Sequence, residues 1–294
     1  MEWWRVVGLC TDGRCFCSGQ WQVFTGNDVG ALIGWWLWTS LKKEAEPRCA
    51  ADVYCIASAV SSTILKSLAA KEGFTFVETL TGFKWMGNKA TELMAQGKTV
   101  LFAFEEAIGF MCGTTVLDKD GVSAAMVMAE MTVWLDNQGM SLRQKLDDIY
   151  STYGYHVSNN SYYICNDPLL IEKIFNRLRN YEGTGKYPAS CGPYKIKFVR
   201  DLTTGFDNSQ PNHCAILPVS KSSQMITFTF TNGCILTLRG SGTEPKLKYY
   251  AELSTPPSQE LDREAVAAEL DKLVDNMVTH FLEPEKNKLF ARAP

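Results

Sequence analysis

The sequence predicts an α/β fold in two parts: a parallel-sheet α/β domain over residues 20–153, then a smaller α+β domain over residues 154–294. Residues 1–19 in front of them fit neither pattern. Three observations carry this. Up to Tyr153, short β-rich runs alternate with helical patterns of about 10–16 residues, the signature of a parallel sheet covered on its faces. Thr99 to Phe104 is apolar without polar alternation, as befits a strand buried on both sides. From Gly154 the order changes to several glycine-bounded strands followed by one closing helix.

Taken in order, Trp21 to Phe24 alternates like a strand, and Thr25-Gly26-Asn27-Asp28 offers N-cap chemistry to an apolar-periodic helix from Val29 to Lys43. Asp52 to Ala59, rich in Val, Tyr and Ile, is the next strand; Ser61-Ser62 opens a helix that Gly73 ends. Phe74 to Leu80 is a strand, Thr81-Gly82 turns into a helix from Trp85 to Gln96, and Gly97 stops it. Thr99 to Phe104 follows, then Glu105-Glu106 and a loop. Helices from Val122 to Asn137 and from Ser141 to Tyr153 close the domain. The second domain is predicted as a strand at Ser161–Cys165, a helix at Pro168–Asn180, strands at Tyr194–Leu202, Gln224–Phe230, Cys234–Arg239 and Lys246–Leu253, and a helix at Leu261–Phe281.

Composition excludes several functions. In 294 residues, 29 Lys plus Arg face 32 Asp plus Glu, a net charge of -3, so no basic field exists to hold a nucleic-acid backbone or an anionic bilayer. The least charged stretch, Val29 to Leu41, falls short of the roughly 20 residues of a membrane span. Met1 to Cys10 has Glu2 and Arg5 around a tryptophan pair and no signal-peptide pattern, so a cytoplasmic location is expected. The 10 cysteines are scattered through apolar segments rather than framed for disulfides, and reduced thiols are expected. His156 and His213 have no paired acid or nucleophile in view.

The sharpest local signal is Arg239-Gly240-Ser241-Gly242-Thr243-Glu244-Pro245 between two strands. Its glycines let backbone N–H groups converge, its hydroxyls add donors, and the Arg239 fork matches a phosphate's oxygens, with Lys246 and Lys248 beside it. Alone, the same heptapeptide also reads as an ordinary Gly/Ser hairpin turn. Glu105-Glu106 leaves a buried parallel strand at its carboxyl end, where α/β sheets place ligand-contacting groups, or else it is a solvated loop pair. Lys84, leaving another strand for a helix, is either an ammonium aimed at a phosphate or an exposed helix-start lysine.

Together, Val23-Phe24-Thr25-Gly26-Asn27, Glu78 to Asn88, Phe104 to Phe110, Lys119 to Ser123 and Arg239 to Pro245 resemble the α-D-phosphohexomutase superfamily. More narrowly they resemble its phosphoglucomutase-2 branch of phosphopentomutases and glucose-1,6-bisphosphate synthases. The resemblance runs from about residue 20 to 288 and implies the third and fourth of the family's four domains, the last with a TATA-binding-protein-like shape. It implies that Glu105 and Lys84 bind the sugar and that Arg239, Ser241, Gly242 and Thr243 grip the substrate's non-reacting phosphate. A sugar phosphate is the implied partner, with neither nucleic acid nor membrane.

The sequence departs from the family pattern in four places. Ala107 stands where a serine is usual, which removes a sugar-hydroxyl contact and favours a pentose or bisphosphate role. Gly240 stands where this branch usually has threonine. The phosphoserine loop has no counterpart in the chain, and Thr11-Asp12-Gly13-Arg14 stands where three aspartates would hold Mg²⁺. The resemblance implies Mg²⁺ and a sugar bisphosphate activator for the complete enzyme, neither held by residues of this chain. The chain is therefore expected to be a truncated recognition half, inactive alone, of a phosphopentomutase or phosphoglucomutase. A glucose-1,6-bisphosphate synthase fragment and a non-catalytic sugar-phosphate-binding protein are the alternatives.

Overall fold

The structure is a computed structural model describing residues 14–17, 20–44, 49–242, 244–257 and 263–291. It divides into two compact units, 1–154 and 155–294.

In the first unit β1 (Arg14–Cys17) and β2 (Gln20–Val23) form an antiparallel pair that leads into α1 (Gly26–Leu41). There follow β3 (Val53–Ser58), α2 (Ile64–Glu72), β4 (Thr75–Thr79), α3 (Phe83–Ala95), β5 (Thr99–Glu105), β6 (Gly109–Cys112), α4 (Gly121–Asp136) and α5 (Leu142–Tyr153). The main sheet has the order β4-β3-β5-β6; β3 is parallel to both neighbours and β6 antiparallel to β5. Two expectations change here. The strand before α1 joins the small hairpin and, among the described residues, not the parallel sheet. The stretch after Glu105-Glu106 is not only loop, because Gly109–Cys112 turns back along β5.

Strand β5 is apolar throughout because both its faces are covered. Val100 pairs with Tyr54 and Phe102 with Cys55, so Leu101 is the extra residue of a bulge. Val100 and Ala103 therefore share a core with Phe83, Met86, Ala90 and Leu93 of α3. Phe102 and Phe104, stacked 5.9 Å apart, face α1. The helix lies close enough that a Cβ on Gly30 would stand 2.6 Å from the Phe104 ring, which is why a side chain is missing there.

At the other end of α1 one carboxylate ties three helices. Glu72 accepts from Trp38 Nε1 (2.8 Å), Lys42 Nζ (2.7 Å) and the Tyr153 hydroxyl (2.7 Å). Burial alone would raise its pKa, but the hydrogen bonds from Lys42, Trp38 and Tyr153 with the Lys42 charge outweigh that and hold it at about 2. A depressed carboxyl contributes stability that is complete above its ordinary pKa and is lost as the pH falls toward the folded value. Glu72→Gln is thus expected to lower the melting temperature at pH 7, and its difference from the unsubstituted chain should shrink between pH 4.5 and 2. A pH-independent difference in thermal melts over that window would show that the carboxylate charge is not what matters.

The second unit contains β7 (His156–Ile164), α6 (Pro168–Arg179), β8 (Ser190–Cys191), β9 (Tyr194–Asp201), β10 (Phe206–Asp207), β11 (Met225–Phe230), β12 (Cys234–Gly240), β13 (Lys246–Ser254), α7 (Arg263–Met277) running on into a π-helical turn at Val278–Leu282, and β14 (Phe290–Ala291). All pairings are antiparallel, in the order β10-β9-β11-β12-β13-β7-β14, with β8 on β9. Ile226, Phe228, Leu236 and Leu238 share one face by register. They pack in one core with Ile174, Phe175 and Leu178 of α6 and Leu270, Leu273 and Met277 of α7. β7 is longer than its apolar run suggested, since Val157 to Asn160 continues the ladder along the whole of β13.

Cys49, Cys55, Cys112, Cys165, Cys191, Cys214 and Cys234 are free thiols. Among the described residues no helix is long and apolar enough to cross a membrane.

Candidate functional site

In the first unit the loops at the carboxyl ends of the parallel strands are stitched to the start of α1. Thr25 is the N-cap: the Asp28 N–H donates to its Oγ1 (3.1 Å), and its own N–H donates to Asp28 Oδ2 (2.9 Å). This capping box leaves Asp28 Oδ1 to accept from the Tyr150 hydroxyl at 3.0 Å. Asn27, read from the sequence as part of the cap, instead accepts the Ser62 N–H on Oδ1 (2.9 Å) and so ties α1 to the loop after β3.

That loop in turn holds the one after β5. Ser61 Oγ lies 2.7 Å from Ser58 Oγ, accepts the Glu106 N–H (3.1 Å) and donates to Glu106 Oε2 (3.3 Å). The Glu106 carbonyl sits directly over the Cα of Gly26, inside the space any Cβ would need. The chain then reverses through Ile108, a β-branched residue at φ 59°, to enter β6.

Against this frame Glu105 accepts the Gly82 N–H on Oε1 at 2.5 Å. The bond joins the carboxyl ends of β4 and β5 and sets Lys84, two residues after Gly82, on the same edge of the sheet. The Lys84 ammonium lies 5.9 Å from the Trp85 ring centroid and makes no ion pair among the described residues. The structure thus brings Glu105 and the Lys84 turn together. Ser58, Ser61, Ser62 and Asn27, which hold them, carry no chemical motif; only their place at strand ends and helix starts could have marked them.

In the second unit Arg239 stands in register with Met225 and Lys248, and Lys248 with Tyr162. Strand alternation puts Leu238 and Leu236 into the helix-covered core and Arg239 on the opposite face of the sheet. Its guanidinium has no hydrogen-bond or ion-pair partner among the described residues. The backbone donors expected to converge are partly committed: the Gly240 N–H donates to Gln224 O (3.0 Å) and the Ser241 N–H to Lys246 O (2.9 Å). The ladder simply continues through the start of the turn, which leaves the Arg239 fork, the Ser241 hydroxyl and the Gly242 N–H for an anion. Thr243 lies outside the described residues. The positive charge beside the turn is partly neutralised, since Glu244 pairs with Lys246 (2.8 Å) and Lys248 (3.7 Å), and the Lys246 hydrogen bond holds its carboxyl below the usual range.

Among the described residues no group of three or more His, Cys, Asp or Glu side chains is placed to hold a metal ion. Thr11, Asp12 and Gly13 lie outside them, and Arg14 begins β1.

Residues 25–153 match the family model for the phosphoglucomutase/phosphomannomutase alpha/beta/alpha domain III. A phosphopentomutase of Homo sapiens is 57% identical over 277 residues, which is 94% of this chain and 45% of that protein. A glucose 1,6-bisphosphate synthase of Mus musculus is 55% identical over 276 residues, 94% of this chain and 44% of that protein. The open-form crystal structure of pp63/parafusin, a phosphoglucomutase from Paramecium, superposes with a TM-score of 0.62 at 18% identity, covering 92% of this chain and 43% of that one. The chain thus spans somewhat less than half the length of the curated relatives it matches. The domain match and the identity to both phosphopentomutases and glucose 1,6-bisphosphate synthases establish that this chain belongs to the phosphoglucomutase/phosphomannomutase family, the α-D-phosphohexomutases.

Proposed function

We propose that the chain is the sugar-phosphate-recognising part of a phosphopentomutase, an intramolecular phosphotransferase of cytoplasmic carbohydrate metabolism, and that by itself it binds without turning over. The second unit takes the place of the family's fourth domain. The observation that carries this reading is the joined strand edge, where Gly82 fixes the Glu105 carboxylate next to the Lys84 turn. One oxygen of Glu105 is used by the backbone, and the other is the acceptor for a sugar hydroxyl. Arg239, Ser241, Gly242 and Thr243 grip the phosphate that does not react, the fork of Arg239 matching two of its oxygens.

Ala107 lies in the turn held by Ser61 and cannot offer a hydroxyl to the sugar, which favours a pentose over a hexose. The same substitution suits a glucose 1,6-bisphosphate synthase, and the mouse relative keeps that second reading in view. Mg²⁺ and a sugar bisphosphate activator belong to the complete enzyme. Phosphoryl transfer is mainly positioning and charge stabilisation, so a chain whose sequence has no counterpart of the phosphoserine loop is expected to show no turnover. The test is to titrate the chain with ribose 1-phosphate and glucose 1-phosphate while assaying both for turnover with Mg²⁺ and a sugar bisphosphate. Saturable binding of ribose 1-phosphate without product supports the reading; product formation overturns the claim of inactivity, and absence of binding overturns the recognition role.

A further inference from the structure

A buried polar network lies behind the Arg239 turn and belongs to none of the motifs above. Asp201, fully buried at the end of β9, accepts from Arg179 Nε (2.7 Å) and Nη2 (3.3 Å), from the Tyr187 hydroxyl (3.0 Å), and from the N–H groups of Thr203 (2.8 Å) and Thr204 (3.2 Å). Burial would raise the Asp201 pKa, but the Arg179 hydrogen bond and charge outweigh it and keep the group ionised. An ion pair this buried costs desolvation and is weak evidence for stability; fixing one geometry is the better-attested use of such a pair.

The geometry it fixes leads to the phosphate turn. The Thr203 hydroxyl donates to Ser223 O (3.0 Å) and accepts the Met225 N–H (3.1 Å), so it spans the backbone on both sides of Gln224. The Leu202 N–H donates to Met225 O (3.0 Å) and closes the same junction. Arg179 Nη2 also donates to the Gln224 side chain at 2.8 Å. The Gln224 carbonyl then accepts the Gly240 N–H (3.0 Å), immediately after Arg239, while Met225 stands in register with Arg239 itself.

We propose that Thr203, oriented by the Arg179–Asp201 pair, is a positioning residue for the Arg239 phosphate site: through Ser223, Gln224 and Met225 it sets the backbone from which Arg239 and the following turn project. This rests on the phosphate role given to Arg239 above. Thr203 touches no ligand, and its effect is on the geometry of the donors. The hydroxyl is the working group, since its two bonds flank Gln224 and a methyl can make neither.

The test uses the full chain, folded and well below its melting temperature, titrated with ribose 1-phosphate. Thr203→Val is expected to weaken affinity about fivefold, the scale of one lost hydrogen bond expressed at the site. Thr203→Ser, which keeps the hydroxyl, is expected to restore it, and Arg179→Lys, which cannot hold Asp201 and Gln224 together, is expected to weaken it likewise. A purely structural residue would lower the melting temperature of Thr203→Val and leave the affinity of the folded protein unchanged. Unchanged affinity in Thr203→Val and Arg179→Lys, with a loss in Arg239→Ala, overturns the positioning role alone. If Arg239→Ala also binds like the unsubstituted chain, the phosphate reading falls and takes this proposal with it.

Discussion

Arg239→Ala is expected to weaken ribose 1-phosphate binding about ten- to a hundredfold, the range for losing a charge-assisted pair of hydrogen bonds at about 1.5–3 kcal/mol. The guanidinium projects from the face of the sheet opposite α6 and α7, without a protein partner among the described residues, and the neighbouring cations share the Glu244 carboxylate. With the N–H groups of Gly240 and Ser241 bound into the ladder, most of the remaining donor capacity at the turn is in this one side chain. Since Arg239 gives up no pairing among the described residues when truncated, the melting temperature should hardly move. Arg239→Lys should recover the charge and lose the fork, so its affinity should fall between the two. Calorimetric titration of the three proteins would decide the matter, and equal affinities would remove Arg239 from the site.

Gly26→Ala is expected to destabilise the first unit by about 1–3 kcal/mol, the usual cost of forcing a group into filled space. The added methyl would meet the Glu106 carbonyl, and the Ile108 nitrogen lies only 3.2 Å from the same point. Neither is the end of a flexible side chain, so the β5–β6 turn must move as backbone. That turn carries Glu105 at its start, and the Ser61 bonds to Glu106 would be strained with it. Ribose 1-phosphate affinity should therefore fall together with stability, unlike the case of Arg239. Gly121→Ala is the control, because a Cβ there meets nothing within 4 Å. Urea unfolding of both variants would test this, and equal midpoints would show that the turn yields without cost.

Most of the fold could be read from periodicity, and the places where it could not have particular causes. β5 announced itself by an unbroken apolar run because α1 and α3 cover both its faces; the bulge at Leu101 that aims Val100 and Ala103 toward one side and Phe102 toward the other leaves no trace in composition. β6 is only Gly109–Cys112, too short for an alternation to show, and it exists because Ile108 reverses the chain. The strand before α1 has the right pattern, but pattern does not select a partner, and β1 took it. The polar half of β7, Ser158 to Asn160, reads as loop in isolation and becomes strand because β13 offers it a continuous ladder.

The candidate site divides in the same way. Local chemistry marked the candidate residue types: a carboxylate at a strand end, a lysine at a helix start, an arginine before a Gly-Ser-Gly turn, each legible because the proposed role depends on its own side chain and immediate backbone. The supporting contacts join residues far apart in the chain, Asn27 to Ser62, Ser61 to Glu106, Gly82 to Glu105, Thr203 to Ser223. Serine, threonine and asparagine in these roles look like any other loop residue, because what distinguishes them is a partner supplied by another strand. The sequence by itself thus determined which groups are candidates for a sugar phosphate; only the tertiary structure decided which backbone donors are already spent in the ladder and which side chains hold the rest in place, since a hydrogen bond once made within the fold is no longer available to a ligand.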